Sequence, residues 1–456
     1  IYGVVRNSTE VLEFLGLLPG QRAARVKALV EEGWSQESIV RMGIFCARGE
    51  STEEEELVLE TSNSSPSGYV CVYESGGRYF AKLDSKGAQG GIYGVSHATA
   101  IEAARQRARE LATAGVSEAL VAKDWNFLAI ERMGLPVTME MRDARMEVLK
   151  EKGCDREAIL REGLSLPFGG HGSGVRSVCV TPDGKHVVTG AYDKTAGVWL
   201  LSDGSLVHAL QGHTNRVYSV CVTPDGKHVV TGSVDKTVRI WLLSDGSLVR
   251  TLEGHSSAVS SVCVTADGKH VVTGSADKTA RIWLLSDGSL VRTLEGHTEA
   301  VMSVCVTPDG KHVVTASADK TARIWLLSDG SLVRTLQGHA SSLFSVCVTA
   351  DGKHVVTGSE DKTARIWLLS DGWLVRTLQG HTGWVQSVCV TPDGKHVVTA
   401  SADTTARIWL LSDGSLVRTL QVGRDSSDWV TSVCVTPDCE HVVTGSMDRT
   451  ARIWLL

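Results

Sequence analysis

The chain has 456 residues, room for two or three domains, with 46 Lys and Arg against 52 Asp and Glu and a formal net charge of −6. That balance excludes a globally basic nucleic-acid binder and a protein drawn to anionic membranes by charge alone. No apolar run reaches membrane-spanning length and no signal peptide shows, so the expectation is an intracellular protein of cytoplasm or nucleus with no membrane partner. The chain opens on Ile1 rather than Met and reads as a piece of a longer protein.

Residues 1–50 read as a helical region. Leu12, Leu15 and Leu18 form an apolar stripe that Pro19–Gly20 interrupts. The stretch Ala23–Gly43 is echoed by Asp143–Gly163: Arg25 matches Arg145, Leu29 matches Leu149, Gly33 matches Gly153 and Ile39 matches Ile159. In each copy Gly ends one helix and Ser35 or Asp155 starts the next, which makes a helix–turn–helix hairpin in the geometric sense. Neither second helix is rich in base-reading side chains, so packing is the favoured role. Residues 51–67, with the acid run Glu53–Glu56 and then TSNSSPSG, read as a linker.

Residues 68–115 change period. Tyr69–Glu74, Arg78–Leu83 and Ile92–Val95 alternate like strands, and Thr99–Ala112 is an Ala-rich helix with Ile101, Ala104, Ala108 and Leu111 on one face. This βββα order, with Tyr69, Val72, Gly77, Tyr79, Ala81, Gly94 and the E-A-A run at Glu102–Ala104, resembles the APETALA/ethylene-responsive-factor DNA-binding domain. The resemblance implies a sheet face that enters the DNA major groove, with Arg78 and Lys82 as the retained basic positions. Val70 and Tyr73 stand where that family tends to carry basic residues. Gly68–Asp124 holds seven basic against six acidic residues, a poor footprint for phosphate neutralisation. Residues 116–163 form a second helical region that includes the second hairpin.

From residue 164 to 456 a unit repeats with a period of 42 residues, as His171, His213 and His255 show. Six copies are nearly identical and a seventh is edited. In the second unit the predicted strands are Ser219–Val222, His228–Gly232, Thr237–Trp241 and Leu248–Leu252, divided by Pro-Asp-Gly, Asp-Lys and Ser-Asp-Gly turns. The Gly-His opening, the four strands and the closing Trp resemble the WD-repeat family, with Trp-Leu where that family often ends in Trp-Asp. The resemblance implies an all-β seven-bladed propeller, preceded here by a mixed α+β region. The chain stops after the third strand of the seventh unit, so Glu162–Gly170 is expected to supply the missing outer strand and close the ring.

The chain carries 11 Cys, of which seven occupy the same place in an S-V-C-V strand: Cys179, Cys221, Cys263, Cys305, Cys347, Cys389 and Cys434. They read as small buried hydrophobes in a reducing compartment; none forms a close metal-ligand pair, and no metal or cofactor is expected. His213, Thr231 and Asp235 could be mistaken for a hydrolase triad. Their repetition in each full unit argues against catalysis, because an active site needs one copy. The WD-repeat resemblance implies a structural network of His213, Thr231, Asp235 and Trp241. The seventh unit has Gly423–Arg424 in place of Gly-His, with about three extra residues before Trp429, and is expected to be the weakest.

The copies differ mainly in the loop after Gly-His and in the residue before the turn Asp, which the resemblance places on the narrower face. Units five to seven, closing onto one and two, carry Phe344, Trp384, Trp429, Met447, Tyr192, Arg176, Tyr218 and Arg216; units three and four carry mostly Ser and Ala. Aromatic residues, Met and Arg on one rim have the composition of a binding hot spot. The competing account is drift between recently copied units, and Trp373 at the far edge reads as drift. The leading expectation is a monomeric, non-catalytic scaffold that binds a protein or peptide. The alternative is a DNA-associated regulator that uses residues 68–115, with the propeller as recruitment platform.

Overall fold

The computed structural model describes residues 164–456 continuously, the helix Arg156–Arg161 and residues 142, 145–149, 152 and 154; between residues 57 and 95 it describes the backbone of four strands. The chain forms two compact units, Ile1–Arg145 and Met146–Leu456. The first hairpin, the helix over 99–112 and residues 116–141 lie outside the described residues.

In the first unit, β1 (Leu57–Leu59), β2 (Tyr69–Ser75), β3 (Arg78–Asp84) and β4 (Ile92–Val95) form one antiparallel sheet in chain order. Three of these strands lie where period-two alternation places them. The fourth, β1, falls inside the stretch read as a linker and pairs Leu57 with Val72 and Leu59 with Val70. Three apolar residues between an acid run and a Ser-rich run are too few to show a period, yet enough to cap a sheet edge.

In the second unit, among the described residues, seven four-stranded antiparallel sheets form a ring. Blade one comprises Val175–Val180, His186–Ala191, Ala196–Leu200 and Leu206–Leu210. Each later blade repeats that order. The seventh takes Val430–Val435, His441–Ser446 and Ala451–Leu455 from the C-terminal end and its outer strand, Leu166–Phe168, from the N-terminal side. Ala451 pairs with Phe168 and Ile453 with Leu166, so the two ends of the propeller share one sheet. Ile159 and Leu160 of the helix Arg156–Arg161 are buried; the helix packs on this sheet, and Arg156 donates to the Asp203 carbonyl at 2.8 Å.

The core lies between blades. Val188, Ala196, Val198 and Leu210 of blade one close against Val217, Val220, Val222, Val229 and Trp241 of blade two. The same cluster recurs around the ring. A blade therefore cannot bury its face alone, and closing the circle leaves no terminal face in water. A second ring of contacts is polar. Ser177 Oγ accepts the Val220 backbone N–H at 3.1 Å, and the same Ser-to-Val bond links every blade to the next. It closes with the Val178 N–H donated to Ser432 Oγ at 3.1 Å.

The first strand of each blade begins two residues earlier than alternation predicts. Val217 pairs with Ser233 and Ser219 with Gly232, so Tyr218 sits at a bulge. The extra residue breaks the period-two pattern that sequence reasoning relied on, and a bulge re-aims its side chain. Arg176, Tyr218 and Phe344 thus belong to innermost strands rather than to loops.

Candidate functional site

The repeated polar constellation in blade two is fully joined. His213 Nδ1 lies 2.7 Å from Asp235 Oδ2, and His213 Nε2 lies 2.7 Å from Thr231 Oγ1. Trp241 Nε1 donates to the same hydroxyl at 3.0 Å. A carboxylate only accepts, so Nδ1 donates to Asp235 and Nε2 accepts the Thr231 proton. Thr231 is completely buried and saturated, so it offers no nucleophile to a substrate. Burial works against ionisation of the equivalent Asp277. The hydrogen bonds from Thr279 and His255 outweigh it and hold this carboxyl at about 2. Burial lowers His255 and His297, against the pull of their Asp partners.

The Gly-His glycine has a steric reason. Gly254 has φ +145°, and a Cβ there would lie 2.7 Å from Arg281 Nη1 and 3.2 Å from the Trp283 ring. Arg281 is stacked 5.9 Å from the centre of that ring. Blade seven, without Gly-His, is wired differently. Arg452 turns to Asp448 at 2.7 Å and also donates to the Val422 carbonyl. The extended loop is tied by Asp428, whose Oδ2 accepts the Arg424 and Asp425 N–H groups. Trp454 is fully buried and still donates to Thr444 at 3.0 Å. In the seventh unit the arginine common to blades two to seven thus engages the turn Asp that a histidine holds elsewhere.

The divergent positions meet at one end of the ring. In every blade the residue before the turn Asp donates its N–H to the carbonyl of the residue before the first strand: Tyr192 to Gly174, Val234 to Arg216, Ala402 to Trp384 and Met447 to Trp429, each at 2.9 or 3.0 Å. Phe344 lies 6.0 Å from Trp384, and Trp384 lies 5.8 Å from Trp429, measured between ring centres. Trp429 is fixed by donating to the Ser426 carbonyl at 2.9 Å.

On the far side of the blade seven to one junction, Tyr192 and Tyr218 lie 5.7 Å apart. Arg216 stacks over Tyr192 at 4.8 Å and Arg176 over Tyr218 at 5.9 Å. Burial raises Tyr192, although Arg176 and Arg216 pull the other way. Two contacts bridge the groups. Arg176 donates to the Thr431 carbonyl at 3.1 Å, and Met447 fills the space left by Gly174, where a Cβ would be 2.8 Å from its sulfur. The divergent side chains thus form two stacked groups, Phe344–Trp384–Trp429 on blades five to seven and Tyr192, Tyr218, Arg176 and Arg216 on blades one and two, with Met447 between blades seven and one against Gly174. Trp384 and Trp429 are 38% and 37% exposed.

Blades three and four present Ala258, Ala276, Ala300, Ala318 and one large residue, Met302, at the matching positions, and Ser260 turns inward to the Val301 carbonyl of the next blade. Trp373, 72% exposed, stands apart in an outer turn. Two contributors escaped the sequence reading: Ser177 and its equivalents, signalled only by their presence in all seven copies, and Gly174, whose missing side chain admits Met447.

Arg78 and Lys82 lie on an interior strand of the separate sheet, at registers opposite Ser75 and Cys71. Among the described residues, Asp438, Glu440 and His441 bring one mixed set of ligand atoms within 4.8 Å. Asp438 there serves its ordinary turn role, accepting from Thr436 and the Glu440 N–H. No described helix is long and apolar enough to cross a membrane.

No curated protein matches the chain. The family model described as WD domain, G-beta repeat matches seven times, over residues 164–199, 204–241, 246–283, 288–325, 330–367, 372–409 and 414–454. With seven blades, a His–Thr–Asp–Trp network and matches over more than half its length, the chain belongs to the WD40 repeat family.

Proposed function

We propose that this protein is a non-catalytic interaction scaffold whose propeller grips a peptide or protein at the mouth where the divergent side chains meet, the narrower face in the family's geometry. WD40 propellers typically act as such scaffolds. One observation carries the reading. Copies that agree closely in their cores and turns differ mainly at one end of the ring, and there Phe344, Trp384 and Trp429 stack in one group and Tyr192, Tyr218, Arg176 and Arg216 in another. Partly exposed Trp, Tyr, Arg and Met, pre-positioned by neighbouring rings, bind at low entropic cost. Drift alone would scatter large residues among the seven equivalent positions. The test is affinity capture with the full chain against a Phe344→Ala/Trp384→Ala/Trp429→Ala variant, with Trp373→Ala as control. Partners held by wild type and control and lost by the triple variant support this site. Equal recovery from all three removes it.

A second reading makes the chain a DNA-associated regulator through residues 68–115. It is favoured by the antiparallel order of Tyr69–Ser75, Arg78–Asp84 and Ile92–Val95, with Arg78 and Lys82 on an interior strand. A gel shift with the full chain at low salt decides it: retardation that weakens in Arg78→Ala/Lys82→Ala supports it, and none ends it.

A further inference from the structure

Blades one and two carry a surplus of positive charge at the mouth. Arg176 lies in the strand Val175–Val180, and Arg216 immediately precedes Val217–Val222. Lys194 and Lys236 follow in the adjoining turns, both exposed. Among the described residues, no carboxylate forms an ion pair with any of these four cations. The acids of the same turns are already engaged: Asp193 lies 2.9 Å from His171 Nδ1, and Asp235 lies 2.7 Å from His213 Nδ1. In blade three, by contrast, the equivalent Lys278 lies 3.6 Å from Glu299. Of the seven residues that precede a turn Asp, one is acidic, Glu360. It belongs to blade five, opposite the junction of blades one and two in a ring of seven, and accepts the Ser341 hydroxyl at 2.6 Å.

The two guanidiniums are also held in place. Arg216 sits over Tyr192 at 4.8 Å and Arg176 over Tyr218 at 5.9 Å, and the two rings are 5.7 Å apart. A guanidinium that covers a ring with its face keeps its N–H edge for an acceptor, and that edge matches a carboxylate with two parallel bonds. Arg176 gives one N–H to the Thr431 carbonyl, whereas Arg216 is exposed. Across the blade seven to one junction stands the row Phe344, Trp384 and Trp429, which offers partly exposed apolar rings. An anion and an apolar anchor thus have separate seats on neighbouring blades. We propose that the mouth selects an acidic peptide segment, with an aromatic or large aliphatic side chain on the row of blades five to seven and an Asp or Glu carboxylate at Arg176 and Arg216. This inference rests on the binding face proposed above and adds the chemistry of its occupant. The chain as a whole carries a net charge of −6, so the attraction is local to these blades, where it fixes the register of the segment.

The experiment selects random linear peptides, displayed on phage, against the full chain. Enriched peptides should pair Asp or Glu with Trp, Phe or Leu. Synthetic copies are then measured by fluorescence anisotropy. Replacing the peptide's acid by its amide, or Arg216→Gln in the protein, should each weaken binding by about tenfold. Binding should also weaken as salt rises. Selection on Arg216→Glu should instead enrich peptides with Lys or Arg, a reversal that loss of structure cannot produce. Enriched peptides without a preference for acids, or binding unmoved by Arg216→Gln, overturn this inference; if Phe344→Ala/Trp384→Ala/Trp429→Ala still abolishes their binding, the face itself stands. No enrichment, or equal binding to that triple variant, overturns both.

Discussion

Blades three and four and blades six and seven are built alike inside and differ at the mouth. Trp283 and Trp325 pack as Trp409 and Trp454 do, each buried and hydrogen-bonded to a buried Thr. At the rim, Ala258 and Ala300 face Trp384 and Trp429 at equivalent positions. The contrast separates residues that hold the ring from residues the ring displays. A position whose side chain lies between blades is constrained by two neighbours at once. A rim position is held through its backbone, by the carbonyl that accepts the N–H before the turn Asp, so its side chain is free to change.

The contrast should break most sharply when interior and rim tryptophans are exchanged for Ala. Trp283→Ala empties an inter-blade core and leaves Thr273 short of a partner; the expected cost is about 3–5 kcal/mol, read by denaturant unfolding. Trp384→Ala should cost less than about 1 kcal/mol while reducing partner capture. Similar unfolding costs for the two would erase the division between core and rim.

Next in size is the polar network. His255→Ala strands Asp277 and Thr273 and should cost about 1–3 kcal/mol. In blade seven Arg452→Ala removes the group that holds Asp448 and should cost a comparable amount by the same measurement. A negligible effect would mean that blade seven is the weak unit its missing histidine suggests.

The third prediction concerns pH. Asp277 sits at about 2, below its ordinary 3.8, and its counterparts Asp193, Asp235, Asp319, Asp361 and Asp403 are also lowered. A lowered carboxyl stabilises the fold at pH values above its unfolded pKa, and that contribution is lost as pH falls through the folded value. His255 and His297, lowered from 6.5, act in the same direction at higher pH. The melting temperature should therefore fall gently below pH 6.5 and steeply below 3.8. Melting curves across pH check this, and a flat profile between neutral pH and pH 2 contradicts it.

The smallest effect is expected from Arg424→His, which restores Gly-His in blade seven. Asp448 is already engaged by Arg452, so stability should move by less than about 0.5 kcal/mol. A larger gain would show that the rewired blade is strained.

Blade number, strand order and the closing strand from the N-terminal side were all legible, because a near-identical repeat states its own boundaries and a missing strand can be counted. The positions at which the copies differ were also legible, since seven copies provide their own comparison. The bulge was not. It adds one residue to a strand without changing composition, so Arg176, Tyr218 and Phe344 read as loop residues when they belong to strands. Strand β1 was hidden for a related reason, being too short to display a period. The role of Ser177 was invisible because its partner, Val220, lies in the next copy.

What the amino-acid order determined by itself is the blade: alternation, turn residues and a repeated polar set are local, and each unit carries all of them. Only the closed ring decided what becomes adjacent across blades. The row Phe344–Trp384–Trp429 and the bond from the Val220 N–H to Ser177 both join residues of different repeats. Contacts of that kind depend on the number of blades and on closure, which no single repeat encodes.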